Sequence, residues 1–577
     1  MSKLRSILID DISKSNLDQE ITIAGWVKNH RDFGKFTFID VRDFSGVFQV
    51  VVDEASEFYQ QAKKLHHEDC ISVTGIVRKR SNPNDKIKNG DLELSLTNLE
   101  VVNAAKPVPF NIEDDVESSE DTRLSYRYLD LRRDVMQNNL RVRHQITKSI
   151  RNFLDEQRFC EIETPMLSKS TPEGARDYVV PSRVNEYQFF ALPQSPQIYK
   201  NLLMIGGIER YYQIVKCFRD EDLRKDRQPE FTQIDLEMSF MDEVEIQNLV
   251  EKMIKQVMLD VKGINITDNF AHMTYQEAMD LYGCDKPDTR YKMLIQDVTN
   301  IVKDSSFNVF SQAPMVRCLV IDQADQFSRK TIDSLEQTAK QNHAKGLAWM
   351  KFIDNEFNGG VSKNLEPEIL SALQTQLNIT DNQLIVFVAD EWDVVCSALG
   401  AIRTTVAEMQ QLADPNQFNF LWVTDWPMFE YDQELDRLFA MHHPFTMPVG
   451  EQFSDKAIET KANAYDIVLN GYELGGGSIR INNPQLQQQM FNLLSMDDQE
   501  VQDKFGFFIE AYQYGAPYHG GLAIGLDRFS MLLTNSESIR DVIAFPKNNK
   551  AQDLMMEAPN TISSEQLQEL HIKLDEE

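Results

Sequence analysis

The sequence predicts a multidomain α+β chain, and three observations carry that reading. Five short β-rich runs fill the first hundred residues, a Pro-containing acidic stretch follows them, and alternating strand and helix patterns over 288–420 interrupt a denser, more charged sequence. A length of 577 residues implies three or four domains. With 42% hydrophobic residues the chain can bury cores, which excludes a disordered protein. The longest clean apolar run, 384–389, falls far short of the ~18 residues of a membrane span. The few apolar residues before Asp10 are too short for a signal-peptide core. Six cysteines are scattered without a CxxC pair, so neither a disulfide framework nor a Cys-rich zinc site is expected, and a reducing cytoplasm fits. A net charge of −31 opposes non-specific binding to polyanions. A nucleic acid, if one binds, has to be read at a local site.

The β-rich runs lie at 21–27, 36–41, 47–52, 71–77 and 92–96, with turn signals at 44–46 and 89–91 and a helical insert at 54–65. Five strands with a helix after the third is the pattern of an OB-fold β-barrel, a frequent binder of single-stranded nucleic acid. Residues 1–106 carry 15 Lys+Arg against 16 Asp+Glu, close to neutral in a strongly acidic chain, where a polyanion is best tolerated. The same strands would serve a barrel with no nucleic-acid role. Pro107 and Pro109, then the acidic run 113–121, mark 107–137 as a linker or hinge. Over 138–158, Val142, Ile146, Ile150, Phe153 and Leu154 recur at helical spacing, and a short strand follows that Pro165 stops. A core in two halves, 138–287 and 421–577, therefore surrounds an inserted α/β domain at 288–420.

Three constellations stand out. The first runs from Cys217 to Glu237: two strand-like ends flank a charged loop, with Arg219 able to grip a phosphate bidentately and Phe231 able to stack on a base. Ordinary salt bridges on a surface hairpin would look the same. In the second, Asp466 and Glu473 flank a strand turn as hard oxygen ligands suited to Mg²⁺, ahead of Gly475, Gly476 and Gly477, which let a backbone approach a ligand closely. Arg480 stands where GxGxxG needs its last glycine, so a dinucleotide loop is not indicated. In the third, Gly520 and Gly525 have Walker A spacing, but Leu526 replaces the lysine, and a Gly-rich strand feeding a helix with Arg528 turned back over it fits better. His442-His443 has the look of a metal pair without a third ligand at metal-site spacing.

In order along the chain, the segment ending at Pro165, the Phe218-Arg219-Asp220-Glu221 hairpin with Phe231, and Gly525-Leu526-Asp527-Arg528 resemble motifs 1, 2 and 3 of the class II aminoacyl-tRNA synthetases. The OB domain narrows this to the subgroup for aspartate, asparagine and lysine. The stretches 171–178, 194–200, 226–235, 442–446 and 471–480, with the insertion between motifs 2 and 3, are similar to the bacterial-type aspartyl branch. The resemblance implies a class II core, an antiparallel sheet flanked by helices, that activates L-aspartate with ATP and Mg²⁺ and transfers it to tRNA(Asp). Whether tRNA(Asn) is charged too is left open, with Phe33 near the region that decides it. A homodimer is implied, with the 138–158 helix supplying an apolar face for it. No zinc and no membrane partner are expected.

Residue by residue, the resemblance assigns Arg219 to the α-phosphate, Arg528 to the γ-phosphate and, with Asp466, Glu473 to Mg²⁺; Arg219, Arg528 and Glu473 form the catalytic set. Asp220, Glu221, Gln228, Phe231, Gly525, Leu526 and Asp527 complete the ATP site. Lys200 and Arg480 read the substrate's side-chain carboxylate, Gln197 and Asp235 its ammonium, while Glu173 sits on a lid and His442 and His443 approach the same pocket. Arg31, Phe38 and Gln49 match anticodon-reading positions, where an aromatic and hydrogen-bonding groups suit splayed-out bases. The rivals are an asparaginyl- or lysyl-specific relative, which would not gather two cations, a tRNA-independent amino-acid ligase, and an OB-type binding protein with an inactive core.

Overall fold

The computed structural model describes residues 4–85, 87–171 and 174–575. Its packing separates two units, 1–138 with 554–556, and 139–553 with 557–577.

In the first unit, strands β1 (Glu20–Asp32), β2 (Phe36–Arg42), β3 (Val47–Asp53), β4 (Cys70–Lys79) and β5 (Leu92–Asn103) close into a barrel in the order β1-β2-β3-β5-β4. The period of two decides what each strand buries: in β2, Thr37, Ile39 and Val41 point into the barrel while Phe38 and Asp40 face outward. Ile23, Val27, Ile39, Val50, Val73 and Leu94 are fully buried at its centre. The expected helical insert is a single turn, Tyr59–Ala62. Residues 107–137 are only partly an extended linker. After the prolines come the helices Glu120–Ser125 and Arg127–Asp130. The buried Asp130 accepts from Arg127 at 2.6 Å and Arg133 at 2.8 Å, and Arg133 also donates to the carbonyls of Glu113 and Asp114.

The second unit is built on an eight-stranded sheet. In chain order its elements are β6 (Cys160–Glu161), the side hairpin β7 (Val179–Pro181) and β8 (Phe189–Ala191), β9 (Arg210–Phe218), β10 (Glu230–Ser239) and β11 (Ala271–Thr274). The insertion contributes β12 (Gln296–Asp297), β13 (Met315–Asp322), β14 (Ala348–Ile353), β15 (Glu356–Asn358) and β16 (Gln383–Asp390). Then follow β17 (Phe420–Thr424), the small hairpin β18 (Phe429–Asp432) and β19 (Arg437–Ala440), β20 (Ala464–Leu469), β21 (Tyr472–Ile479) and β22 (His519–Gly525). The main sheet has the order β11-β17-β20-β21-β22-β10-β9-β6, antiparallel except for its two outermost pairs. The insertion forms its own antiparallel sheet, β12-β13-β16-β14-β15, packed with the helices Arg329–Gln341 and Trp392–Gln410.

Alternation along β10 sets the division of the sheet: Ile234, Leu236 and Met238 join the apolar core, and Phe231, Gln233 and Asp235 line a pocket. The helix Asp134–Glu156 delivers Ile146, Ile150 and Leu154 into that same core at 0% exposure. This corrects the expectation for its apolar stripe. Ile146, Ile150 and Leu154 are thus covered within one chain, while Val142 and Phe153 on the same helix stay partly exposed.

Candidate active site

The pocket encloses a cavity of about 340 Å³ bounded by β10, β21, β22 and the loop between β9 and β10. At one end lies a closed cluster of charges. Lys200 sits on the buried face of the helix Gln197–Ile205, with Gln197 one turn before it donating to Asn201 at 2.9 Å. Its ammonium meets Asp235 at 2.8 Å and Glu237 at 3.1 Å. Arg480 forks onto Glu237 at 2.9 and 3.1 Å, and its other nitrogen donates to Ser478 at 2.6 Å and to His443 Nε2 at 2.5 Å. Glycine is required beside this pair, because a Cβ on Gly521 would stand 2.1 Å from Glu237 Oε2. Burial works to raise the Glu237 carboxyl, but the charges of Arg480 and Lys200 outweigh it and hold it down at about 2. For Asp235 burial wins and the carboxyl is raised, with one oxygen, Oδ2, unpartnered. Burial and then Arg480 lower His442 to about 4, and the same causes take His443 well below its ordinary value, so both imidazoles are neutral. Lys200, Gln197, Asp235, Arg480, His442 and His443 are therefore brought together as expected. Glu237, which holds both cations, received no role from the sequence, although its position two residues after Asp235 on one strand face was the available signal.

At the other end, β9 and β10 form the expected hairpin, closed by Arg219 N donating to Pro229 O at 2.9 Å. The Arg219 guanidinium lies 5.1 Å from the Phe231 ring centroid. Arg528 bonds the Glu473 carbonyl and meets Asp226 at 3.1 Å. The Nε atoms of Arg219 and Arg528 are buried without a partner, as donors awaiting an anion would be. Glu221 is paired with Arg227 at 2.9 Å, and Gln228 exchanges two bonds with the Lys547 backbone. Two of the expected ATP residues, Asp220 and Leu526, turn their side chains elsewhere, while Asp527 lines the pocket with its carboxylate engaged in packing bonds. Asp220 is exposed and takes part through its backbone, which bonds Arg176 O. The Leu526 side chain is in the apolar core, while Gly525 lines the pocket. Asp527 accepts from Thr232 N at 2.8 Å and from Arg143, so its carboxylate joins β10 to the helix Asp134–Glu156. The helix that starts at Leu526 turns that side chain into the core, whereas Asp220 points to solvent from the loop between β9 and β10.

Asp466 and Glu473 lie on the hairpin of β20 and β21. The register shifts between Ile467, opposite Gly475, and Val468, opposite Glu473. Without that bulge Glu473 would point to the opposite face from Asp466; with it, both point the same way. Burial first, and then the Glu473 charge, push the Asp466 carboxyl well above the usual carboxylate range, and His442 Nε2 stays 3.9 Å away. Two hard oxygen ligands gathered with too little positive charge fit Mg²⁺, with phosphate and water oxygens left to complete its shell. The adjacent glycines line the pocket and are also needed for packing: a Cβ on Gly476 would reach Asp466 Oδ1 at 2.5 Å, and one on Gly475 would reach Ala523 O at 2.3 Å.

In the barrel, Phe38 is half-buried on the outer face with Phe33 edge-on at 5.7 Å. Arg31, opposite Phe38 in the register, bonds Asp40 at 3.1 Å and Gln49 at 3.4 Å, and Gln49 donates to Glu93 at 2.8 Å. The expected trio thus shares one surface, with Gln49 itself buried. Glu173 lies outside the described residues. No described helix is long and apolar enough to cross a membrane.

Residues 119–549 match the family described as class II tRNA synthetases (D, K and N), and residues 21–102 match the OB-fold nucleic acid binding domain. The chain is 53% identical over 578 residues to a protein of Lactococcus lactis (strain IL1403) named aspartate–tRNA ligase, covering 98% of each. A protein of the same name from Streptococcus pneumoniae (strain Hungary19A-6) is 53% identical over 580 residues, with 99% of each covered. Among solved structures, asparaginyl-tRNA synthetase from Pyrococcus horikoshii complexed with asparaginyl-adenylate matches at a TM-score of 0.59 and 18% identity, over 94% of this chain and 97% of that one. Aspartyl tRNA synthetase from Entamoeba histolytica matches at 0.58 and 20%, over 94% and 92%. At those identities the likeness speaks for the fold alone, but the family match over most of the length and the full-length relatives go further: this chain belongs to the class II tRNA synthetases of the D, K and N type.

Proposed function

We infer that the protein is an aspartate–tRNA ligase, which joins L-aspartate to ATP as aspartyl-adenylate, releases pyrophosphate, and passes the aspartyl group to the 3′-terminal adenosine of tRNA(Asp). The observation that carries the reading is the buried Lys200–Asp235–Glu237–Arg480 cluster at one end of a pocket whose other end presents Arg219 and Arg528. Aspartate brings one ammonium and two carboxylates. The unpartnered oxygen of Asp235, with Gln197 beside it, suits the ammonium, and Arg480 and Lys200 suit the side-chain carboxylate. Asparagine would leave those cations under-compensated, a mismatch of a kind that reaches ~10⁴-fold in discrimination.

The α-carboxylate is already an anion at neutral pH, so the first step needs no general base. It needs alignment with the α-phosphorus and stabilisation of the charge that builds on the phosphate oxygens. Arg219 is assigned to the α-phosphate, with Phe231 stacking on adenine, and Arg528 to the γ-phosphate. The two neutral histidines add no charge beside Arg480 and help keep water from the pocket. Asp466 and Glu473 would hold Mg²⁺, which when bound offsets charge on the departing pyrophosphate.

The domain roles follow. Residues 1–106 read the anticodon through Arg31, Phe38 and Gln49, 107–137 connect, 138–287 and 421–577 form the catalytic core, and 288–420 are the insertion. We also propose a homodimer, with an interface that excludes the Ile146–Ile150 stripe, and a cytoplasmic location, where tRNA is charged. ATP–pyrophosphate exchange tests the substrate: it should respond to L-aspartate and hardly to asparagine or lysine, and equal stimulation by asparagine would overturn the assignment. Charging of purified tRNA(Asp) and tRNA(Asn) side by side then reads the tRNA range.

A further inference from the structure

The two-residue turn between β20 and β21 separates Asp466 from Glu473, and it is fastened to the neck of the insertion. Asn470 and Gly471 both have positive φ, 54° and 87°, as a tight hairpin turn requires. The Asn470 side chain is buried and uses both ends: its Oδ1 accepts from Asn419 N at 2.9 Å, and its Nδ2 donates to Gln417 O at 2.7 Å. These partners lie where the chain returns from the insertion. Asn419 in turn donates to Thr289 Oγ1 at 3.2 Å on the outgoing segment. There Arg290 forks onto Asp288 and donates to Asp414 O at 3.2 Å, lacing the two crossings together. The outgoing segment is fixed again by the buried Arg403, which donates to the carbonyls of Asp288, Tyr291 and Met293 at 2.6–3.0 Å. Asp288 packs so close to the turn that a Cβ on Gly471 would stand 3.2 Å from its own Cβ.

We propose that Asn470 is a positioning residue for the metal-binding carboxylates: by fastening the turn to the insertion's neck it fixes the bulged register in which Asp466 and Glu473 face the same way. A slip of one residue in this hairpin would turn Glu473 to the opposite face, and the bonds of Asn470 oppose that slip without touching the pocket. The inference rests on the assignment of Asp466 and Glu473 to Mg²⁺.

The test uses the full chain with Mn²⁺ and ATP as the probe, following bound Mn²⁺ by electron paramagnetic resonance. Asn470→Gly keeps the positive φ and removes both side-chain bonds. It should weaken Mn²⁺ binding in the presence of ATP about tenfold or more, raise KM for Mg²⁺-ATP in pyrophosphate exchange, and leave L-aspartate binding near wild type. Thr289→Val, which cuts only the Asn419 bond, should act in the same direction by less and serves if Asn470→Gly folds poorly. Asp466→Asn is the reference. If it loses Mn²⁺ while the other two variants bind as wild type, the positioning role is overturned and the metal assignment stands. If Asp466→Asn itself binds Mn²⁺ normally, the metal assignment fails and takes the inference with it. Equal losses of aspartate and Mn²⁺ binding with a lowered melt in both neck variants would reduce Asn470 to a general structural residue and also overturn the proposal.

Discussion

In the pocket, Lys200, Asp235, Glu237 and Arg480 have side chains no more than 2% exposed and are bonded to one another. On the outer face of the barrel, Arg31 is 46% exposed, Phe38 is half-buried, and the Arg31–Asp40 pair meets solvent. The two regions handle charge in different ways. In the pocket the desolvation of four ions is met on folding, so the charged groups are already oriented, and removal of one member strands another. On the barrel Arg31 reaches into solvent while bonded to Asp40 and Gln49, so its pairing contributes a modest, salt-sensitive share and can adapt to a flexible nucleic acid.

The largest expected effect breaks the pocket. Arg480→Leu leaves Glu237 buried with Lys200 as its remaining ion-pair partner, and aspartate-dependent pyrophosphate exchange should fall by about a thousandfold or more while ATP binding is largely kept. Exchange within tenfold of wild type would mean that the cluster is not preorganised for aspartate, and loss of ATP binding would move Arg480 out of the amino-acid end.

A pH titration sharpens the same contrast. His442 titrates near 4 in the folded chain, against 6.5 for a free imidazole, because it is buried and faces Arg480. Between those values the unfolded chain binds the extra proton, so this contribution is complete above pH 6.5 and is lost as pH falls toward 4, on the order of 3 kcal/mol in all. Denaturant midpoints measured from pH 7 to 4 should fall less steeply for His442→Asn than for wild type. An unchanged slope would show that the imidazole is not held neutral by its surroundings.

The barrel should respond more mildly and only in tRNA charging. Phe38→Ala should lower aminoacylation efficiency about ten- to a hundredfold, the equivalent of one base stack, with pyrophosphate exchange unchanged. Because Phe38 is outside the barrel core, circular dichroism and the thermal melt should stay near wild type, and a collapsed melt would return it to a packing role. The smallest effect is on the surface pair: Arg31→Met should change stability by less than about 1 kcal/mol and weaken charging in a salt-dependent way. A loss of several kcal/mol would show that the barrel face is built like the pocket after all.

Much of the fold is legible in the sequence. The barrel follows from alternation, as in β2, and the hairpin with Arg219 and Phe231 follows from two apolar ends around a charged loop. The pocket residues Lys200, Asp235 and Arg480 were legible as chemical types in family motifs. The failures have physical causes. A stripe at helical spacing tells that a face is apolar but not what covers it, and so Ile146 and Ile150 were assigned to a partner instead of their own core. Leu526 belongs to the right motif, but the direction of a helix start sends its side chain into the core.

The sequence by itself determined the inventory: an OB barrel, a class II core, and the charged residues Lys200, Arg219, Asp466, Glu473, Arg480 and Arg528 in their motifs. Residue types and short-range periodicity are local properties, and they survive in one dimension. Only the tertiary structure decided how those groups are used. Glu237 became the counter-charge of Arg480 across 243 residues of chain, and a single bulge between Ile467 and Val468 brought Asp466 and Glu473 to one face. Charge pairing depends on distance and burial, and the phase of a strand depends on where its partner slips, so neither can be read from spacing along the chain.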